Sequence, residues 1–290
     1  MQNILVTGAT GNVGREVIRY LEKLPGNHSI TAGVRDVAKA KKHWPHNRAL
    51  QYAVFNFEDA ATFKEALANV DTVFLLRPPH IASVNKVFGP LLRALSEKPG
   101  TGVVFLSVQG AEEHRFIPHH NIEALIRARE IPFVFLRPGY FMQNLTTTLL
   151  PGIIKTKTIS LPAGKAKFNW VDVANIGEVA AHVLCRFQEH QGRAYDITVN
   201  ELLDFQSVTD VMRQTLPYQV RYRNVNPLTF FWLKKKEGLP TMMILVMTML
   251  HLLPRFQKVP RISRSYTDIT GNTPTLLQQF LERERKTFLP

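Results

Sequence analysis

Residues 4–14 read ILVTGATGNVG: a short apolar run, a turn punctuated by Gly8, Gly11 and Gly14, and the start of an amphipathic stretch. The apolar positions Val13, Val17, Ile18, Leu21 and Leu24 continue that stretch at helical spacing. A strand that turns in this way into a helix leaves backbone N–H groups pointing outward at the helix N-terminus. The positive end of the helix dipole there favours an anion. Gly8 permits the tight turn, Gly11 lets the backbone approach a pyrophosphate, and Gly14 lets the helix pack close to the strand. Thr7, Thr10, Asn12 and Val13 share the turn, and with the three glycines they form the candidate dinucleotide cradle.

Outward from this turn, strand and helix signals alternate, which predicts parallel β-α-β units. The strand candidates are Ile4–Thr7, Ile30–Val34, Tyr52–Phe55, Thr72–Leu76, Val103–Ser107 and Phe133–Arg137. Helical stretches fall around 12–24, 58–68, 81–97 and 118–130, and Pro90 is expected to kink or split the third. Uninterrupted apolar strands such as VVFL mark a sheet covered on both faces. The fold class is therefore α/β: a doubly wound parallel sheet with a smaller, interleaved C-terminal α/β lobe. The expected division is 1–150 for the Rossmann domain and 151–290 for the smaller lobe, with about 170–200 returning to the Rossmann sheet. Val173–Arg186 and Phe205–Leu216 read as helices, and Tyr195–Val199 as a strand rejoining the sheet. A ligand is expected between the lobes, beyond the carboxyl ends of the strands.

Composition narrows the class. The chain has 290 residues, 45% hydrophobic and 20% charged, as in an ordinary globular protein. Cys185 is the one cysteine, so no internal disulfide can form, and a cytoplasmic location is expected. Flanked by Val183 and Leu184, it reads as a buried thiol. The chain starts on a strand, with no secretory segment expected ahead of it. The net charge of +13 can attract acidic partners, but the cations are scattered and no nucleic-acid recognition motif accompanies them. A solvated basic surface is expected, without nucleic acid as a partner. The most apolar stretch, MMILVMTMLHLL at 242–253, is too short to span a bilayer. It is expected to pack in the core or to wall an adaptable apolar pocket, with no membrane role. The ten histidines form no metal-ligand set with cysteine or carboxylates, and no G-x-S-x-G elbow marks a hydrolase.

In dinucleotide folds an acidic residue after the second strand accepts hydrogen bonds from the ribose and repels a 2′-phosphate. Arg35 stands at that strand end here, with Lys39 one helical turn later. A guanidinium can hold a phosphate in bidentate fashion and Lys39 adds a point charge, which favours NADP(H) over NAD(H). The alternative is that Arg35 opens a helix whose N-cap is Asp36.

At this point the chain resembles the NmrA-like branch of the atypical short-chain dehydrogenases/reductases. The carrying motifs are TGATGNVG (7–14), GVRDVAK (33–39), FLSVQG (105–110), HHNIE (119–123) and FLRPGYFMQN (135–144). FNWVDVANIGE (168–178) and TGNTPTLLQQF (270–280) extend the likeness over nearly the whole chain. The resemblance implies an extended NAD(P)-binding Rossmann fold with a smaller C-terminal α/β substrate lobe, and with it NADPH-dependent reductases of quinones and phenylpropene-type substrates, or dinucleotide-binding regulators that catalyse nothing. With the carboxyl-end rule, it implies Asn56 and Phe57 near the adenine, and Leu76, Arg77 and Pro78 along the cofactor. It also sets Pro138, Gly139 and Tyr140 beside the nicotinamide.

Reductases of this superfamily use a tyrosine and a lysine four residues later on one helix face. Alignment on Glu123 places Arg115 and His119 at those positions, which removes the usual proton relay. Ser107 matches the family's serine or threonine. The candidate catalytic residues are thus His119, Tyr140 and Ser107. His119 would bond the ribose or deliver a proton near neutral pH, or be a plain helix-opening histidine. Tyr140 flanks the nicotinamide or packs the lobe seam, and Asn144 contacts substrate or caps a helix. Hydride transfer to a quinone needs no protein acid, only orientation and an apolar slot. Phe141, Phe230, Phe231, Trp232 and the 242–249 stretch are candidate lining. Two readings follow: an NADPH-dependent oxidoreductase of a small apolar electrophile such as a quinone, or a non-catalytic NADP(H)-sensing protein that binds a protein partner. The oligomeric state is expected to be monomer or homodimer.

Overall fold

The computed structural model describes residues 1–78, 81, 83–115 and 117–289. The opening strand and helix are β1 (Gln2–Thr7) and α1 (Asn12–Leu21). They lead into β2 (His28–Val34), α2 (Val37–Lys41), β3 (Gln51–Val54), α3 (Ala61–Ala66), β4 (Thr72–Leu76) and α4 (Val84–Ser96). The first run closes with β5 (Gly102–Leu106), α5 (Pro118–Ala128) and β6 (Phe133–Pro138). Next come β7 (Tyr140–Phe141), α6 (Leu150–Thr156), β8 (Thr158–Leu161) and β9 (Phe168–Val171). Then follow α7 (Val173–Cys185), α8 (Phe187–His190), β10 (Ala194–Ile197), β11 (Leu202–Leu203), α9 (Phe205–Thr215) and β12 (Arg221–Asn224). The last elements are α10 (Pro227–Lys236), α11 (Thr241–Leu252), α12 (Ser265–Thr270) and α13 (Leu277–Arg283).

The chain divides into two units. One comprises Met1–Pro138, Val173–Ile197 and Ser265–Thr273; the other comprises Gly139–Asp172, Thr198–Arg264 and Pro274–Pro290. The first unit is built on a seven-stranded sheet in the order β10-β6-β5-β4-β1-β2-β3, parallel throughout. Ile4, Leu5 and Val6 of β1, Val73 to Leu75 of β4 and Val103 to Phe105 of β5 are fully buried, because helices cover both faces. This is a doubly wound Rossmann-type fold. Its order reverses between β1 and β4, so a crevice opens beyond their carboxyl ends. α4 runs unbroken through Pro90 instead of splitting there. Ala82, at the head of the stretch expected to be helical, lies outside the described residues. Cys185 is half-buried beside His28, and burial raises its pKa.

The close packing of α7 on α1 depends on Gly177. A Cβ there would stand 2.5 Å from the Glu16 Cβ and 2.7 Å from its carbonyl carbon. Glu178, on the same helix, accepts hydrogen bonds from the Tyr266 hydroxyl and, at 2.7 Å, from Asn272 Nδ2. Asn175 Nδ2 donates to the Tyr266 hydroxyl at 3.0 Å. These contacts tie α7 to α12 and explain why the late segment 265–273 belongs to the first unit.

The second unit has its own core. Tyr140, Phe168, Trp170 and Phe205 pack edge-on or tilted, with the Tyr140 and Trp170 rings 4.7 Å apart and the Trp170 and Phe205 rings 5.2 Å apart. Trp170 Nε1 donates to the Leu203 carbonyl at 3.0 Å, so the buried indole keeps its partner. Asp204 and Asn226 cap α9 and α10, each accepting a backbone N–H at 2.8 Å.

One expectation is narrowed here. The 242–253 stretch joins the core along one stripe only: of α11, Ile244, Met247 and His251 are buried. Met242, Val246 and Met249 are 64%, 55% and 50% exposed. With apolar residues all round the helix, one stripe packs and the rest must face outward. Phe230, expected to line a slot, is instead fully buried in the second unit's core.

Replacing Gly177 with alanine gives the test of the α1–α7 packing. Helix propensity alone would favour Ala by about 1 kcal/mol. The overlap with the Glu16 backbone reverses the sign, so Gly177→Ala is expected to lose about 1–3 kcal/mol in urea unfolding. A stabilised variant would show that α7 does not depend on that close approach.

Candidate functional site

The turn between β1 and α1 is shaped by backbone contacts. Gly8 has φ +60°, and a Cβ on it would meet the Leu76 side chain at 2.8 Å. The Gly11 N–H bonds the Gly8 carbonyl at 2.9 Å, closing the turn. At Gly14 a Cβ would lie 2.3 Å from the Gly8 carbonyl oxygen, a clash no side chain could relieve. Gly11 is the N-cap of α1 and supplies no side-chain acceptor, and the first turn carries no acidic residue. Thr10, Gly11 and Asn12 are exposed, while Val13 and Gly14 are buried. An exposed helix start with open N–H groups and no built-in anion suits a diphosphate. Thr7 differs from its neighbours. Its hydroxyl is fully buried, donates to the Phe74 carbonyl at 2.8 Å, and accepts from the Leu76 N–H at 3.3 Å. It locks β1 to β4, and its side chain is not open to a ligand.

Arg35 follows β2 directly and is exposed, as is Lys39 in α2. Asp36 caps α2 through the Lys39 N–H at 2.9 Å. Among the described residues neither Arg35 nor Lys39 has an ion-pair partner. Asn56 follows β3 and accepts from the Glu58 N–H at 3.2 Å, and Phe57 rests on Phe55 and Phe88. Leu76, Arg77 and Pro78 are half-buried where β4 ends. The Nε of Arg77 is shut off from solvent with no hydrogen-bond partner among the described residues. Burial lowers this guanidinium's pKa.

Beyond β5 and β6 lies a buried ionic cluster that sequence reading did not single out. Glu123 of α5 accepts from Ser107 Oγ at 2.6 Å and from Arg137 through Nε at 3.0 Å and Nη2 at 2.6 Å. Arg137 Nη1 also pairs with Glu112 at 3.0 Å. The ends of β5 and β6 are joined in this way to the middle of α5, and the Ser107 hydroxyl donates to Glu123. Only the spacing of a serine, a glutamate and an arginine across three motifs signalled it.

His119 sits near the start of α5, its ring 6.0 Å from that of Phe105. Burial first, and the Arg77 cation second, push its pKa down to about 3. This direction favours the neutral ring at pH 7, which weighs against the proton-delivering role and suits the ribose-bonding one. Its neighbour His120 donates from Nδ1 to the Ala111 carbonyl at 2.8 Å and holds the preceding loop. Arg115 is exposed.

Tyr140 belongs to the second unit's core. Its hydroxyl lies 2.9 Å from His251 Nε2, and His251 Nδ1 lies 2.6 Å from the Met247 carbonyl. A carbonyl can only accept, so Nδ1 carries the proton and the tyrosine donates to Nε2. Burial raises the Tyr140 pKa, which hydrogen bonding from Asn144 opposes, and burial lowers that of His251 to about 4. Tyr140 is thus a satisfied core hydroxyl rather than a free acid, and Asn144 supports it. Pro138 is buried at the end of β6, its carbonyl accepting from the Gln109 N–H at 3.0 Å. Gly139 passes so near β9 that a Cβ would lie 2.3 Å from the Asn169 carbonyl oxygen.

Residues 1–268 match the NmrA-like family. The chain belongs to that family. Among its relatives, Prestalk A differentiation protein A of Dictyostelium discoideum is 30% identical over 278 residues, covering 96% of this chain and 91% of that one. The NAD(P)H azoreductase of Xenophilus azovorans is 28% identical over 226 residues, 76% of each chain. In fold the NmrA-like chain is similar to the NADPH-dependent quinone oxidoreductase of Escherichia coli solved with NADPH. The TM-score is 0.86 at 20% identity, over 97% of this chain and 99% of that one.

Half-buried His119 and buried His251 set a pH dependence. Both fold with pKa values below the ordinary 6.5, so between that value and their folded values the unfolded chain binds more protons. Their contribution is complete above that window and falls away as the pH drops through it. Unfolding free energies at pH 7 and at about pH 4.5 should therefore fall more steeply for wild type than for His251→Gln or His119→Gln. Equal slopes in all three proteins would show that these rings titrate normally. Glu123→Gln, which leaves buried Arg137 short of its partner, should cost about 3 kcal/mol in the same assay.

Proposed function

We propose that this NmrA-like protein is an NADPH-dependent oxidoreductase that reduces a small, planar, apolar electrophile such as a quinone. The observation that carries the reading is the pairing of an anion-ready glycine turn with Arg35, an exposed cation at the end of β2 that has no ion-pair partner among the described residues. The backbone N–H groups of Asn12 and Val13 would receive the pyrophosphate, aided by the dipole of α1. Arg35, reinforced by Lys39, would hold the 2′-phosphate. Arg77, whose buried Nε has no partner among the described residues, would supply a donor beyond β4. Asn56 and Phe57 would border the adenine, and Leu76 and Pro78 the ribose side. Pro138 and Gly139 would complete the rim beyond β6. NADPH, when bound, would supply a hydride and leave as NADP+, and the quinone would take up one further proton from water to become the hydroquinone.

His119 serves this chemistry as a neutral hydrogen-bonding group. An imidazole kept uncharged beside Arg77 can orient a ribose hydroxyl or a substrate carbonyl without being titrated by it. Because a quinone needs no protein acid at the moment of transfer, the loss of the tyrosine–lysine pair leaves this reaction open while disfavouring alcohol oxidation.

A second reading, an NADP(H)-sensing protein with a protein partner, draws support from one pair of observations. Ser107 gives its proton to Glu123 and His119 is neutral, so neither offers an acid. The Dictyostelium relative, moreover, is named for differentiation and not for a reaction.

Following nicotinamide absorbance with NADPH and a panel of quinones separates the two. Turnover above a heat-inactivated control is expected, and NADPH binding without any turnover would select the sensor. For cofactor choice, calorimetry on Arg35→Ala should show NADPH binding weakened by about 1.5–3 kcal/mol with NADH little changed. An equal loss for both cofactors would remove Arg35 from the phosphate site.

A further inference from the structure

The second unit displays an apolar face that its own core does not use. Along α11, Met242, Met243, Leu245, Val246, Met249 and Leu250 are all exposed. Trp232, on the adjoining α10, is 63% exposed, and Phe256, just past α11, is 78% exposed. Isolated exposed apolar residues are ordinary, but a contiguous set on one helix and its flanks marks an interaction surface. No helix among the described residues is long and apolar enough to cross a membrane.

The chemistry around this face identifies what it fits. Between Glu237 and Asp268 there is no acidic residue, whereas Arg255, Lys258, Arg261 and Arg264 all fall in that interval. Where α11 ends, a cavity of about 320 Å³ is lined by Lys165, Lys167, Arg255 and Lys258, with Val259 at its edge and no carboxylate. Gly164, at φ +57°, lets the Arg255 side chain lie against the loop that carries the two lysines. A second copy of this chain would bring a like-charged rim against this one. Nucleic acid would gain little from exposed methionine, valine and leucine. An anionic lipid surface satisfies both halves at once, with acyl boundary for the aliphatic helix and phosphate for the cationic cavity.

We propose that the α10–α11 face docks on the surface of an anionic phospholipid bilayer. α11 lies in the interface plane with its exposed aliphatic residues inserted. The Lys165/Lys167/Arg255/Lys258 cavity receives a lipid phosphate. The assignment is independent of what the first unit binds or reduces.

Flotation of the full chain with vesicles of phosphatidylcholine alone, or mixed with phosphatidylglycerol, tests this. Binding is expected to the mixed vesicles, to fall with added salt, and to shift Trp232 fluorescence to the blue; Trp232→Phe assigns that signal. The double variant Val246→Glu/Met249→Glu changes two exposed positions and should abolish binding while its thermal unfolding stays as in wild type. As an independent arm, Lys165→Gln, Lys167→Gln and Lys258→Gln should each weaken binding about fivefold. No binding to the mixed vesicles overturns the proposal. So does binding that survives the glutamate pair, or a lipid-free dimer that the glutamate pair dissociates.

Discussion

The carbonyl oxygen of Gly8 and the bare α-carbon of Gly14 occupy a space that no side chain could share, and the first unit is arranged around that fact. Because a Cβ at position 14 would come within 2.3 Å of that oxygen, α1 can begin directly over the end of β1 only with glycine there. The same approach aims the first N–H groups of α1 into the crevice where the sheet order reverses. Leu76 closes on Gly8 from β4, and the buried hydroxyl of Thr7 fixes β1 and β4 in register. α7 can then settle on α1 at Gly177, and α12 on α7 through Tyr266 and Glu178. Each later contact assumes the position of α1.

How far this was legible in the sequence differs by kind of residue. Strands β1, β2, β4, β5 and β6 were readable because uninterrupted apolar runs have one use in a sheet covered on both sides. The glycine turn was readable because its constraint is local. Asp36 likewise declared itself as a cap for α2 by position alone. The Ser107–Glu123–Arg137 cluster was not readable as a cluster, since its members are brought together only by the parallel register of β5 and β6 and the middle of α5. Each residue looked like a separate motif position.

Tyr140 and the 242–253 stretch show the opposite case, in which residue type alone left the surroundings open. A tyrosine hydroxyl is an acid only if something can receive its proton at working pH. Bonded to a His251 ring whose other nitrogen is committed to a carbonyl, it closes a core network instead. In α11 the apolar residues run all round the helix, so periodicity could not say which stripe packs. Hydrophobicity then foretold burial where a single contact stripe was all the second unit could cover.

Charge supplies the remaining step. With a net +13, Lys and Arg outnumber Asp and Glu, so cations must remain unpaired even if every carboxylate took one. Several buried or structural cations have partners: Arg137 with Glu123 and Glu112, Lys234 with Glu237, and Arg283 with Asp172. Arg35 and Lys39 in the first unit, and Lys165, Lys167 and Lys258 in the second, carry no ion pair among the described residues. All five are exposed, where a cation costs little and a surface ion pair would return little. A scattered surplus would need no explanation beyond solubility. Here one group stands at the end of β2, beside a helix start open to anions, and the other lines an acid-free cavity at the end of an exposed aliphatic helix. Each place already presents a second feature suited to phosphate, and that coincidence separates these cations from the rest of the basic surface.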